Sequence, residues 1–167
     1  MKSKWIPPVL LVVLAAGLLF CVWPPGSYYG SEVDWYCQHA ALAETIRSAC
    51  LEQRTLAPAF LPLGGGVNGY QFAYYGYFRP DILLGCLLPQ VPMTLLLPCY
   101  AISGWILSGL LCYMWLQKEN GRFFAFWGAV LFLTAACFFH THRQLMFVNY
   151  MPFLLAALLA VQRGQQE

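Results

Sequence analysis

The sequence predicts an all-α membrane protein: about four transmembrane helices and a long extracytoplasmic first loop containing an interfacial amphipathic helix. Three observations carry that expectation. The chain is 60% hydrophobic and 10% charged, whereas soluble domains carry roughly a quarter charged residues, and its mean hydropathy is +0.58. Its apolar residues gather into runs of span length, separated by short charged turns. The only long stretch that does not look membrane-like, 31–81, holds five of the seven carboxylates: Glu32, Asp34, Glu44, Glu52 and Asp81. A net charge of +2 is too small to mark a nucleic-acid partner. The partner that the composition implies is the lipid bilayer, and residues 1–167 read as one membrane domain.

The first span is expected at 5–23. At ~1.5 Å per residue it covers about 28 Å, close to one hydrocarbon thickness. Trp5 and Trp23 stand where interface aromatics belong. Lys2, Lys4 and the apolar core also fit a signal peptide, but no small-x-small cleavage site follows. An uncleaved anchor is therefore the reading.

The outer loop is expected over 24–81. Ser31 as N-cap, with Asp34 three residues on, predicts a helix start. Two stripes then run at spacings of three and four. Trp35, His39, Leu42, Ile46 and Ala49 make an apolar one; Asp34, Gln38, Ala41, Thr45, Ser48 and Glu52 make a small and polar one. Such a helix lies in the interface with one face down, and Pro58 and Pro62 are expected to end it. Gly64-Gly65-Gly66-Val67-Asn68 follows; no Lys-Ser/Thr completes a phosphate-binding loop, but the glycines permit positive φ and close backbone approach. Tyr70, Phe72, Tyr74, Tyr75, Tyr77 and Phe78 then read as an interfacial belt, with stacking on a sugar or prenyl chain as the sharper alternative.

Residues 82–93 are apolar but too short to span, and Pro89, Pro92 and Pro98 interrupt the pattern, so an interfacial or re-entrant segment is expected there. A second span follows at 94–117, a third at 123–139 and a fourth at 145–161. The turn Lys118-Glu119-Asn120-Gly121-Arg122 separates the second from the third, and His140-Thr141-His142-Arg143-Gln144 separates the third from the fourth. Four spans put both termini on one side. Lys2, Lys4, Lys118, Arg122 and Arg163 then fall together as a cytoplasmic signature, while the long loop nets −2 and lies outside.

Of the seven cysteines, Cys21, Cys86, Cys99, Cys112 and Cys137 fall in apolar runs and no Cys-x-x-Cys occurs. They read as small buried hydrophobes. Cys37 and Cys50 are not expected to pair, because one straight helix would hold them ~20 Å apart. Asp34 heads the polar stripe and is the candidate acid or base; a plain first-turn carboxylate, stabilising the helix by roughly 0.3–1 kcal/mol, is the alternative. His140 and His142 have no third ligand nearby in sequence and read as turn residues.

Taken in order, Asp34 with Gln38, Gly64-Gly65-Gly66 with Asn68, Tyr74-Tyr75 before Arg79-Pro80, and Asn149-Tyr150-Met151-Pro152 before an apolar run resemble the N-terminal part of the YfhO-like bacterial membrane proteins. The resemblance runs through nearly the whole chain, but Gly30-Ser31-Glu32-Val33 before the aspartate is an insertion relative to a bare Gly-x-Asp. That family is grouped with the C-type glycosyltransferases. The resemblance implies a multi-pass enzyme of the bacterial cytoplasmic membrane, both termini cytoplasmic. It would move a sugar from a polyprenyl-phosphate carrier to an envelope polymer or lipid acceptor outside. It implies Asp34 as the catalytic base, taking the acceptor hydroxyl's proton. Gln38, His39, Asn68, Tyr74, Tyr75 and Arg79 would contact substrate, with Arg79 or Arg143 stabilising the departing phosphate. The alternatives are that Gln38 and His39 orient Asp34, that His39 is a packed residue of the apolar stripe, and that Arg79 is a snorkelling interface residue. No cofactor is implied; some relatives use a divalent metal. Family members are far longer, so the expectation is an N-terminal fragment or a chain completed by a second polypeptide. Two rivals stand beside it: a lipid-linked sugar flippase or transport module, and a non-enzymatic membrane subunit whose outer loop docks a partner.

Overall fold

The computed structural model describes residues 5–23, 26, 29–30, 32–135 and 149–165. The expected Ser31 cap, the 140–144 turn with Arg143, the end of the third span and the start of the fourth lie outside them. The chain is mostly helical and divides into two compact units, Ser31–Tyr100 and the pair Met1–Gly30 with Ala101–Glu167.

In the second of these, α1 (Ile6–Val22) opens with prolines in its first turn, where the missing N–H has no helical partner to lose. Among the described residues one helix, Met93–Thr134, is long and apolar enough to cross a membrane. It is not one straight rod. Gly121 takes φ 73, ψ 170, a conformation that excludes a continuous helix and that glycine adopts without a Cβ clash. The limbs on either side return against each other: a Cβ on Gly109 would come 2.6 Å from Leu133, and one on Gly128 would come 2.5 Å from Leu116. The charged turn expected at 118–122 is thus the bend of a helical hairpin. Leu11 of α1 joins Tyr113, Ala125, Ala129 and Leu133 in one buried cluster, in which small residues let helices approach closely. The outward faces stay apolar, with Val9, Val13, Phe20, Phe123, Phe124, Trp127 and Leu131 exposed. A final helix, Met151–Gly164, starts with Pro152 in its first turn. Near its end, Gln162 donates a 2.8 Å hydrogen bond to Glu119, so its C-terminal end and the 118–122 bend lie at the same end of this unit.

In Ser31–Tyr100, Glu32–Ala40 is a π-helix running directly into α2 (Ala41–Gln53). The apolar stripe faces inward: Trp35, His39, Ile46 and Ala49 are buried and Leu42 packs against the core. Asp34, Gln38, Ala41, Thr45, Ser48 and Glu52 remain half-buried or exposed. The helix ends before the prolines expected to stop it. Arg54 turns left-handed (φ 51) and its N–H bonds back to the Cys50 carbonyl.

The glycine-rich stretch closes a short antiparallel pair that the sequence reading missed. β1 (Phe60–Leu61) meets β2 (Val67–Asn68), with Phe60 opposite Asn68 and Leu61 opposite Val67. Gly64 and Gly66 supply the positive φ of the connection, and the Phe60 ring occupies the space where a Gly66 Cβ would be, 2.3 Å away. A 3-10 helix, Gly69–Tyr75, follows, and then α3 (Pro80–Leu87) with proline in its first turn. α3 covers much of the segment expected to be interfacial or re-entrant, starting two residues earlier and ending at Leu87. The core of the unit joins Ile46, Ala49 and Cys50 of α2 to Leu61, Tyr75, Tyr77 and Ile82. A polar clamp adds to it: Arg47 pairs with Glu44 and donates to the Val91 carbonyl at 2.5 Å, while Glu44 accepts the Met93 N–H at 3.2 Å. The clamp fixes α2 against the start of the long helix, labelled α4 (Met93–Thr134).

Candidate functional site

The candidate residues come from three elements. Asp34, Gln38 and His39 ride on the π-helix, a rare geometry that is frequent at functional sites. Tyr74 and Tyr75 end the 3-10 helix. Arg79 immediately precedes α3, its aliphatic stem packed where a Gly76 Cβ would otherwise sit.

Tyr75 is the point at which they meet. Its side chain is buried, and its hydroxyl lies 2.7 Å from His39 Nδ1. The Gln38 amide favours the ionised form of the same hydroxyl. One proton serves the Tyr75–His39 contact, given by the hydroxyl or by the ring nitrogen according to the His39 tautomer. The other ring nitrogen, Nε2, is buried and has no hydrogen-bond partner among the described residues. Trp35 packs edge-on against the imidazole, with ring centroids 6.2 Å apart.

Arg79 completes the arrangement. Its guanidinium donates to the Tyr75 carbonyl at 3.3 Å and lies 5.9 Å from the centre of the Tyr75 ring, within cation–π range. Its main partner is Asp81: Nε donates at 3.0 Å to Oδ1, and Nη2 makes a second, short contact with Oδ2. Asp81 is fully buried and also accepts the Ile82 N–H at 3.0 Å. Two donors from one guanidinium and one from the helix start satisfy the carboxylate well.

Electrostatics follow from this geometry. Burial pushes the His39 pKa below its ordinary value, the nearby Arg79 charge pushes it the same way, and Asp34 opposes both. His39 is therefore neutral at pH 7. Burial raises the Tyr75 pKa, against the effects of Gln38 and Arg79 and with those of Tyr74 and Asp34. Asp34 thus acts electrostatically on both members of the central hydrogen bond, from a half-buried position.

Two candidates separate from this group in role. Asn68 caps the 3-10 helix, its Oδ1 accepting the Tyr70 N–H at 2.9 Å, which gives it a local structural task. Tyr74 is 70% exposed, as are Tyr70 and Phe78 by similar amounts, whereas Tyr75 and Tyr77 are buried. The aromatic run therefore divides into a core pair and an outward-facing set. Tyr77 belongs wholly to the core, donating to the Gly69 carbonyl.

Sequence reasoning passed over Asp81, although Arg79-Pro80-Asp81 carries a signal: proline at the first helical position followed by a carboxylate in the first turn. It also passed over the Glu44–Arg47 clamp and over Cys50 with Cys86. These two line a cavity of about 150 Å³ together with Leu51, Arg54, Thr55 and Leu56. Among the described residues no group of His, Cys, Asp and Glu is placed to hold a metal. No family model, curated protein or solved structure matches this chain.

Proposed function

We propose that this chain is part of a membrane glycosyltransferase that takes a sugar from a polyprenyl-phosphate donor, with Asp34 as the base for the acceptor hydroxyl. The observation that carries the reading is the convergence of Asp34, Gln38 and His39 from the π-helical segment, and of Arg79 from the start of α3, on Tyr75 at the end of the 3-10 helix. The acceptor O–H would lose its proton to the Asp34 carboxylate as its oxygen forms the bond to the anomeric carbon. The bond from that carbon to the lipid phosphate breaks at the same time. Exposed Tyr70, Tyr74 and Phe78 supply stacking faces for a sugar or a prenyl chain. Four spans with the 24–81 loop outside belong to the same proposal. The long apolar helix, the outward-facing apolar side chains and the shared position of Gln162 and the 118–122 bend support it.

A second reading has its own support. Arg79 is already neutralised by Asp81, Asn68 is engaged as a cap, and His39 Nε2 is sealed from solvent. Groups so committed suit a subunit whose outer unit is a rigid docking module without chemistry of its own. The Asp34→Asn variant separates the two. In proteoliposomes with a radiolabelled polyprenyl-phosphate sugar and membrane acceptors, the enzyme reading expects a loss of transfer of at least 100-fold, with unchanged expression. Full transfer by the variant removes Asp34 as the base and leaves the docking reading.

A further inference from the structure

The sequence places Cys50 and Cys86 far apart and in unlike surroundings, one in a polar amphipathic helix and the other in an apolar run. The fold brings them together. Cys50 lies near the end of α2 and Cys86 near the end of α3, and these helices pack on each other. Both residues line the same cavity, and both belong to the same core, Cys50 buried and Cys86 packed against it. Both are free thiols.

We propose that Cys50 and Cys86 form a reversible redox pair whose disulfide locks α2 to α3. A disulfide needs its two Cα atoms within about 7 Å, a requirement suited by two residues on helices that pack on each other, and the adjoining cavity gives the side chains room to change rotamer. That cavity also gives an oxidant its route, past Arg54, whose side chain is exposed at the wall. The oxidant is a disulfide, either of a small molecule or of a partner protein. Cys86 is the more accessible thiol. As thiolate it attacks one sulfur of the incoming disulfide, releasing the first thiolate and forming a mixed disulfide. Cys50 then loses its proton and attacks the Cys86 sulfur, releasing the second thiolate. One S–S bond is broken and one formed; the two cysteine protons end on the two released thiolates, and the oxidant is reduced by two electrons. Burial and the neighbouring Cys86 push the Cys50 thiol up to about 11, which makes the second step slow and suits a pair that responds to sustained oxidation.

The inference rests on the packing of α2 against α3 and is independent of the glycosyl-transfer reading. The test uses the full chain in detergent, exposed to oxidised glutathione. Free thiols are then blocked, and trypsin cuts at exposed Arg54, between the two cysteines. Fragments that stay joined on a non-reducing gel and part on reduction, together with a Cys50–Cys86 linked peptide in the mass spectrum, are the expected result. The linkage should vanish in Cys86→Ser, a half-buried position that tolerates the change, and in Cys50→Ser. Linkage that persists in Cys86→Ser assigns the bond to another pair and overturns the proposal. So does blocking of both thiols after oxidation, or glutathione attached singly to either one.

Discussion

The core of Ser31–Tyr100 and the core around Leu11, Tyr113, Ala125, Ala129 and Leu133 are packed from different materials. The first sets buried ionisable and polar groups among its apolar ones: His39 against Tyr75, Asp81 against Arg79, Arg47 against Glu44. The second consists of aliphatic, aromatic and small side chains in direct contact, with glycines at the points where the hairpin limbs meet. The contrast has a physical origin. A helix whose outer face is as apolar as its inner one gains little by hiding the inner one, so close approach through glycine and alanine must supply the contact energy. A short unit with polar helices has both a hydrophobic gain and a specificity requirement, and paired charges fix which element meets which.

The comparison breaks most visibly at Asp81. Asp81→Ala leaves Arg79 partly buried without its carboxylate, and the expected loss is about 3–5 kcal/mol. Amide hydrogen exchange should show it as deprotection across 69–87 with no change across 105–133. Equal deprotection of both stretches would mean that the two cores are one cooperative structure. The converse probe is Gly109→Ala, whose methyl meets Leu133. It is expected to cost roughly 1–3 kcal/mol, read as exchange in 105–133, and to be partly recovered when Leu133→Ala is added. No recovery would show that the limbs are not in contact there.

A smaller effect sharpens the division of roles within the polar unit. Asn68→Ala removes the cap of the 3-10 helix, for about 1 kcal/mol. If Asn68 is only a cap, exchange at Tyr70 rises while sugar transfer, where it can be assayed, keeps its KM. A raised KM without added exchange would return Asn68 to the binding site. The smallest expected effect is the pH response of His39. Unfolded, it takes up a proton near the ordinary histidine value of 6.5, whereas the folded form does so only at lower pH. Between the two values the unfolded state binds more protons. Stability of the unit should therefore be complete above about pH 6.5, fall as the pH drops below it, and level off beneath the folded value. His39→Gln should flatten that part of the profile.

Much of this was legible in the sequence where periodicity or a single strong residue decides the outcome. The buried stripe Trp35, His39, Ile46 and Ala49 follows from helical spacing, since even a stretch of π-helix keeps one face inward. Gly121 inside Lys118–Arg122 marks a bend because few other residues tolerate its backbone angles. The aromatic run was harder to read. Alternation does not say which of Tyr74 and Tyr75 enters the core, and the 3-10 helix decides it by turning Tyr75 in and Tyr74 out. The stop of α2 was misplaced because a left-handed arginine at 54 carries no compositional mark, whereas Pro58 does.

The amino-acid order alone determined the apolar runs, the polar loop between them and the grouping of its acids. Those depend on the transfer of each side chain between water and a non-polar medium, which is a property of the residue itself. Tertiary structure alone decided that Asp81 belongs to Arg79, that His39 meets Tyr75 and that Cys50 faces Cys86. These partners are set by how the helices cross and which rotamers then fit, quantities that arise only when distant segments occupy the same space.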